Sequence, residues 1–415
     1  VYRLTGSPPG RRAIYKVMWL RDNEPDIYSS TAHILFIPDY IVHCLTGELV
    51  TSSGASCASG CLDIKAKTRW AQPFIEQCGI DPDKWLGDIR PGGSIAGCVN
   101  AQAAALTGFP VGTPVVLTAG DQACGNLGIG VSQPGLLGIN GGTSCALQTP
   151  SPELPSDTSM SFFVDFSPAG YYVAENGVTS GTGALTEWFR AGFSPLDKEE
   201  LLDEDKLWDG LYGLAQDAPA GNLGLMLVPY LRGANGPLWD PRARGLLVGL
   251  TTEHNRSHLM RALLEGVAYE SRLIIETMER GTGATIQSVR TYGGASQNDL
   301  WNTILADILS RPVVVTSDPA PVSLGAAVTA GSAVGLYGNP IDAARGMIRI
   351  RRTFEPDPGR SAQYDELYQM CYVHLYERIQ DLMASMSSVV RRETRRSDFG
   401  TSDAPVRGRA AVRGT

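Results

Sequence analysis

Residues 289–315, VRTYGGASQNDLWNTILADILSRPVVV, decide how this chain is read. A β-branched run ends in Gly293-Gly294-Ala295, apolar residues then recur three and four apart, and the chain returns through Pro312 into a second β-branched run. That order is strand, glycine turn, helix, strand, and a crossover helix of this kind joins parallel strands. The glycine turn falls at a helix N-terminus, where unpaired N–H groups and the helix dipole readily hold a phosphate or a nucleotide edge. A glycine corner also serves packing alone, and the G-x-G-x-x-G spacing of a dinucleotide site is missing.

Working outward, short β-branched runs alternate with longer helical patterns, which indicates an α/β protein. Strands are expected at residues 115–119, 136–140, 146–149, 171–175, 288–292 and 312–316, and helices at 257–279, 297–309 and 323–334, with Ser257 and Ser296 as N-caps. A chain of 415 residues is too long for one small core, so two domains are expected. The turn SQPG at 132–135 suits the boundary, giving domains at 1–131 and 132–386. From Ser387 the sequence SSVVRRETRRSDFGTSDAPVRGRAAVRGT is rich in Arg, Gly and Ser; residues 387–415 are expected to be a disordered, solvated tail.

A formal charge of −8 argues against nucleic acid as the main partner, because phosphate-backbone binding needs a concentrated cationic face. No run of about eighteen uninterrupted apolar residues suggests a membrane span, and the first residues lack the order of a signal peptide, so a cytoplasmic location is expected. The eight cysteines are not arranged in paired C-x-x-C blocks and read as small apolar residues in a reducing compartment.

Three further segments carry chemistry-bearing residues. In TAGDQACGNLGIG (118–130) a strand runs into a tight turn and a helix, with Asp121 at or beside the N-cap. An acid there caps the helix, or faces the crevice at the carboxyl ends of strands where open α/β sheets bind ligands; the two roles can coexist. In LLGINGGTSCALQT (136–149) two short strands flank Gly141-Gly142-Thr143-Ser144, a hairpin tip that exposes N–H groups and hydroxyls to an anion, or simply a tight turn. SGTGALTEWFR (180–190) opens a helix with small residues that leave room for a flat ring or for a neighbouring helix. A serine hydrolase built on Ser144 fits poorly, since G-G-T-S-C lacks the second glycine of a nucleophile elbow and no histidine sits in a triad context.

The order of these motifs resembles the FGGY carbohydrate kinases, the family of xylulose, glycerol, gluconate and ribulose kinases. YKVMWLRDNEP (15–25) is similar to that family's lysine–tryptophan signature around Lys16 and Trp19, and residues 227–270, LVPYLRGANGPLWDPRARGLLVGLTTEHNRSHLMRALLEGVAYE, are similar to its second signature, from Gly245 to Glu265. The resemblance implies an actin-like ATPase fold, two ribonuclease-H-like domains closing on ATP and a sugar or polyol. It implies Asp121 as general base with Gln122 beside it at the sugar, Gly142 and Thr143 in the phosphate hairpin, Gly183, Thr186 and Glu187 lining the nucleotide pocket, and Gly293, Gly294 and Asn298 in the adenosine turn. Thr186 and Glu187 depart from the glycerol kinases, while DYIVHCLTGE and WDPRARG look more like xylulose kinases. Magnesium would be carried by the nucleotide, with no protein metal site, and a homodimer is common among such relatives.

Family members begin with an aspartate-glycine-threonine loop that holds phosphate, and nothing before Val1 matches it. The first domain is therefore expected to be N-terminally incomplete, and a non-catalytic nucleotide- or sugar-binding remnant stands as the alternative to an active kinase.

Overall fold

The computed structural model describes all residues except 9, 11, 194–203 and 400–415. In the first 131 residues the described strands form two short ladders: β1 (Val50–Ser52) runs parallel to β2 (Asp88–Arg90), and β3 (Ile95–Cys98) antiparallel to β4 (Pro114–Val116). The strand leading to Asp121 is thus shorter than its β-branched run suggests. A register irregularity opposite, between Ile95 and Gly97, leaves Leu117 to pair outside the strand.

The second half is organised by one seven-stranded sheet, built from β5 (Leu136–Gly141), β6 (Cys145–Ser151), β7 (Phe163–Phe166) and β8 (Tyr172–Val178). After the small antiparallel pair β9 (Met226–Val228) and β10 (Leu246–Val248), it is completed by β11 (Ser288–Tyr292), β12 (Val313–Thr316) and β13 (Ile350–Phe354). The order is β13-β12-β11-β5-β6-β8-β7. β5, β11 and β12 are mutually parallel, joined through crossover helices, and the rest are antiparallel to their neighbours. The mixed α/β fold expected from the sequence is present.

The 27-residue helix Arg256–Thr282 packs on this sheet and buries Met260, Leu263, Leu264, Val267, Ile274 and Met278. Its cap is Asn255, whose Oδ1 accepts from the Ser257 and His258 N–H groups, so Ser257 lies one step inside the helix. Similarly, Ser296 does not cap the helix after β11. A 3₁₀ turn over Gly294–Gln297 intervenes, the Ser296 hydroxyl donates back to the Gly293 carbonyl at 2.7 Å, and Asn298 caps the helix Asp299–Leu309. Within the long helix, Arg261 and Glu265 form a buried ion pair at 2.7 Å that Tyr364 completes from the other side.

The two halves are tied by a chain of buried polar side chains. Asn126, on the helix Asp121–Gly128, donates to Gln148 on β6, and Gln148 donates to Glu175 on β8. Beside Glu175 stands Asp165 on β7, which faces Arg12 of the first half at 3.8 Å. Burial, with the Asp165 charge adding to it, pushes the Glu175 carboxyl up to about 8.

The C-terminal helix Val373–Phe399 extends through the start of the segment that composition marks as disordered. No Gly or Pro interrupts residues 373–399, Met383 is buried, and the Ser387 hydroxyl donates to the Arg242 carbonyl, so packing holds the helix. Residues 400–415 of that expected tail lie outside the described residues. Among the described residues no helix is long and apolar enough to cross a membrane.

Candidate active site

Asp121 is the first residue of the helix Asp121–Gly128, and Gly120, not the acid, occupies the N-cap. No side chain caps that end, and the Asp121 carboxylate is exposed. Capping therefore does not account for an acid here. The preceding strand is also not part of the large sheet, so the crevice Asp121 adjoins is set by other strands.

Those strands are identified through Gln122. Its Oε1 accepts from Asn140 Nδ2 at 3.2 Å and from the Tyr292 hydroxyl at 3.0 Å. Asn140 is the next-to-last residue of β5 and Tyr292 the last of β11, so the start of the Asp121 helix is docked at the carboxyl ends of two adjacent parallel strands. That is the end of an α/β sheet where ligands bind. Gly125, one turn along, is needed for the same contact: a Cβ there would meet the Tyr292 hydroxyl at 2.6 Å. Burial, and then the Asp121 charge, push the Tyr292 phenol well above its ordinary range, which keeps it a proton donor.

Beyond the ends of β5 and β11 opens a cavity of about 720 Å³. Gly142 and Thr143 of the hairpin, Gly183, Gly294 and Asn298 line it, so five residues singled out separately in the sequence meet around one space. Backbone packing holds them there. The Gly181 and Gly183 N–H groups donate to the Thr143 and Gly142 carbonyls, and a Cβ on Gly183 would lie 2.9 Å from the Gly142 oxygen. The small residues of SGTG thus seat a helix on the hairpin and leave one glycine at the cavity wall. Gly293 stands just behind it with φ 85°, where a Cβ would strike Asn140 Oδ1 at 2.6 Å.

Two of the expected pocket residues are elsewhere. Thr186 is buried and its hydroxyl donates to the Thr182 carbonyl at 2.6 Å, so it acts behind the wall, against Tyr212. Glu187 is exposed one turn beyond Gly183 on the helix Thr182–Phe193 and does not line the cavity; its bond from Arg190 lowers its pKa. Lys16 and Trp19 are exposed on the helix Ala13–Asn23. Sequence reasoning missed Trp208, Asp209 and Tyr212, which line the cavity from the helix Glu204–Gln216. The four-residue spacing of Trp208 and Tyr212 was the available signal, and on a helix that spacing also describes an ordinary core stripe. Among the described residues no group of three or more His, Cys, Asp or Glu could hold a metal ion.

A glycine hairpin, a glycine turn and an exposed acid are thus gathered at one end of an α/β sheet, the end where ligands bind in such folds. Residues 8–128 match the N-terminal domain, and residues 137–334 the C-terminal domain, of the FGGY family of carbohydrate kinases, and the chain belongs to that family. It is 30% identical to the autoinducer-2 kinase of Yersinia enterocolitica over 370 residues, 88% of this chain and 69% of that protein. With the xylulose kinase of Bacillus subtilis it shares 28% identity over 375 residues, 90% of this chain and 72% of that one. Ligand-bound xylulose kinase from Lactobacillus acidophilus superposes with a TM-score of 0.83 at 25% identity, covering 93% of this chain and 76% of that chain. The fold is accordingly the actin-like ATPase fold of these sugar kinases, and the protein is a carbohydrate kinase.

Proposed function

We propose that this protein transfers the γ-phosphoryl group of ATP to a hydroxyl of a sugar or polyol, D-xylulose or a similar pentulose first among them, between domains comprising residues 1–131 and 132–386. The reading rests on one arrangement: Gln122, next to Asp121, is tied by Asn140 and Tyr292 to the strand ends from which the Gly142 hairpin and the Gly294 turn reach the 720 Å³ cavity. A space of that size suits a nucleotide.

Phosphoryl transfer asks chiefly for alignment and charge stabilisation. Asp121 accepts the proton of the attacking hydroxyl. A carboxylate at a helix N-terminus is a weak base, and a loose transition state lets the proton leave late, so strong basicity is unnecessary. Gln122 has its carbonyl oxygen engaged by two donors, which leaves its N–H groups to donate to an oxygen of the acceptor. Hairpin N–H groups around Gly142 and the Thr143 hydroxyl stabilise charge on the phosphate oxygens, and Trp208 and Tyr212 offer apolar faces to the base. Magnesium, held by the nucleotide's own phosphates, would neutralise part of their charge. Glycines at the hairpin and the turn are the feature that fits ATP, since they let phosphate reach the main chain.

A panel of ketoses and polyols assayed for acceptor-dependent ATP consumption tests the substrate class. Asp121→Asn is expected to lower turnover by about a hundredfold or more while nucleotide binding persists. Near-normal turnover in that variant refutes Asp121 as the base, and no acceptor-dependent consumption by the unaltered protein refutes the kinase reading in favour of a binding remnant.

A further inference from the structure

At the opposite end of β5 lies a second cavity, of about 210 Å³, walled by Leu136, Ala344, Ile348 and Ile350 and carrying the polar side chains of Ser132, Gln133, Arg290 and Arg345. Leu136 begins the strand whose last residue, Gly141, lines the nucleotide cavity. Five residues of extended chain separate them, roughly 17 Å, so the two spaces are distinct.

Arg290 is the unusual member. It projects from β11, and among the described residues its guanidinium donates one hydrogen bond, from Nη1 to the Ile129 carbonyl at 2.5 Å. Its Nε is buried with no acceptor at all. No carboxylate among the described residues pairs with it, and burial alone lowers its pKa with no acid opposing the shift. Gly130 makes room for this: its φ is 78°, and a Cβ would sit 2.0 Å from Arg290 Nη1. A half-buried guanidinium with an enclosed, unpartnered Nε and no counter-charge is costly, and proteins normally pair such a group. Across the cavity Arg345 spends little of its charge internally, reaching Asp342 only at 3.7 Å and the Gln133 Oε1 at 3.4 Å. Two guanidiniums, with an amide and a hydroxyl nearby and an apolar wall opposite, face one small space.

We propose that this cavity is a second binding site, for a phosphate group, in which Arg290 and Arg345 grip the dianion and Ser132 and Gln133 add neutral hydrogen bonds. The planar fork of arginine suits phosphate oxygens, and two cations favour a dianion over a single carboxylate.

Isothermal titration of the whole chain with orthophosphate at constant ionic strength, the nucleotide cavity saturated with a non-hydrolysable ATP analogue, tests this. Saturable binding is expected, weakened at least about tenfold in Arg290→Met and in Arg345→Gln. Methionine keeps the bulk of the buried stem without its charge; should that variant fail to fold, Arg345→Gln decides alone. Repeating the titration with glycerol phosphate separates the sources: tighter binding of the ester assigns a phosphorylated metabolite, and equal or weaker binding assigns free phosphate. Absence of saturable binding with either ligand, or unchanged affinity in the folded variants, overturns the proposal.

Discussion

The Tyr292 hydroxyl lies 3.0 Å from Gln122 Oε1, joining residues 170 apart in sequence at the carboxyl end of β11. This bond fixes which way the Gln122 amide faces. Together with Asn140 it leaves only N–H groups to be presented next to Asp121.

Tyr292→Phe keeps the ring that packs on Gly125 and removes only the donor. Losing one neutral hydrogen bond is worth roughly a few-fold in affinity. The Michaelis constant for the acceptor sugar should rise by about that factor with the constant for ATP unchanged, as steady-state kinetics with each substrate varied in turn would reveal. An equal rise in both would mean that the phenol merely supports the sheet end.

Gly183→Ala would have the reverse selectivity. Its new methyl must fit where the Gly142 carbonyl oxygen is 2.9 Å away, and backbone on both sides has little freedom to yield. Overpacking of this kind costs about 1–3 kcal/mol. Displacing the hairpin should weaken ATP binding about tenfold or more while acceptor affinity, measured by equilibrium binding of the sugar alone, stays near its original value.

Much of this arrangement was legible in the sequence because it is local. β11 occupies the residues its β-branched run marks, and Gly142, Thr143, Gly183, Gly294 and Asn298 meet at one cavity because each sits at or beside the end of a regular element. What could not be read is what depends on partners distant in sequence. Ser296 looked like a cap because the 3₁₀ turn that consumes its hydroxyl has no strong sequence mark. Glu187 misses the cavity because its carboxylate is taken up by Arg190 one turn past Gly183, which its position in the motif does not announce. Arg12, Asp165 and Glu175 come from three separate segments, and no pattern within any of them announces their meeting.

That buried group makes stability depend on pH. Glu175 carries a folded-state pKa raised from 4.5 to about 8, so between those values the folded chain holds a proton that the unfolded chain has released. Stability must then fall as pH rises across that window, by at most about 1.4 kcal/mol per unit from this residue. Glu175→Gln keeps a hydrogen-bonding partner for Gln148 and removes the titration. Chemical denaturation at pH 5 and pH 8 should show the variant losing less stability between the two than the unaltered protein; parallel losses would assign the pH dependence to other groups.

Every described residue that walls the 720 Å³ cavity falls between Gly141 and Asn298, whereas Asp121 and Gln122 precede that span. On the proposed reading, donor and acceptor are thus encoded in separate stretches of chain. Inherited change in the earlier stretch is free to explore new sugars while the later one goes on holding the same nucleotide, a division of labour suited to a lineage whose members differ in what they phosphorylate.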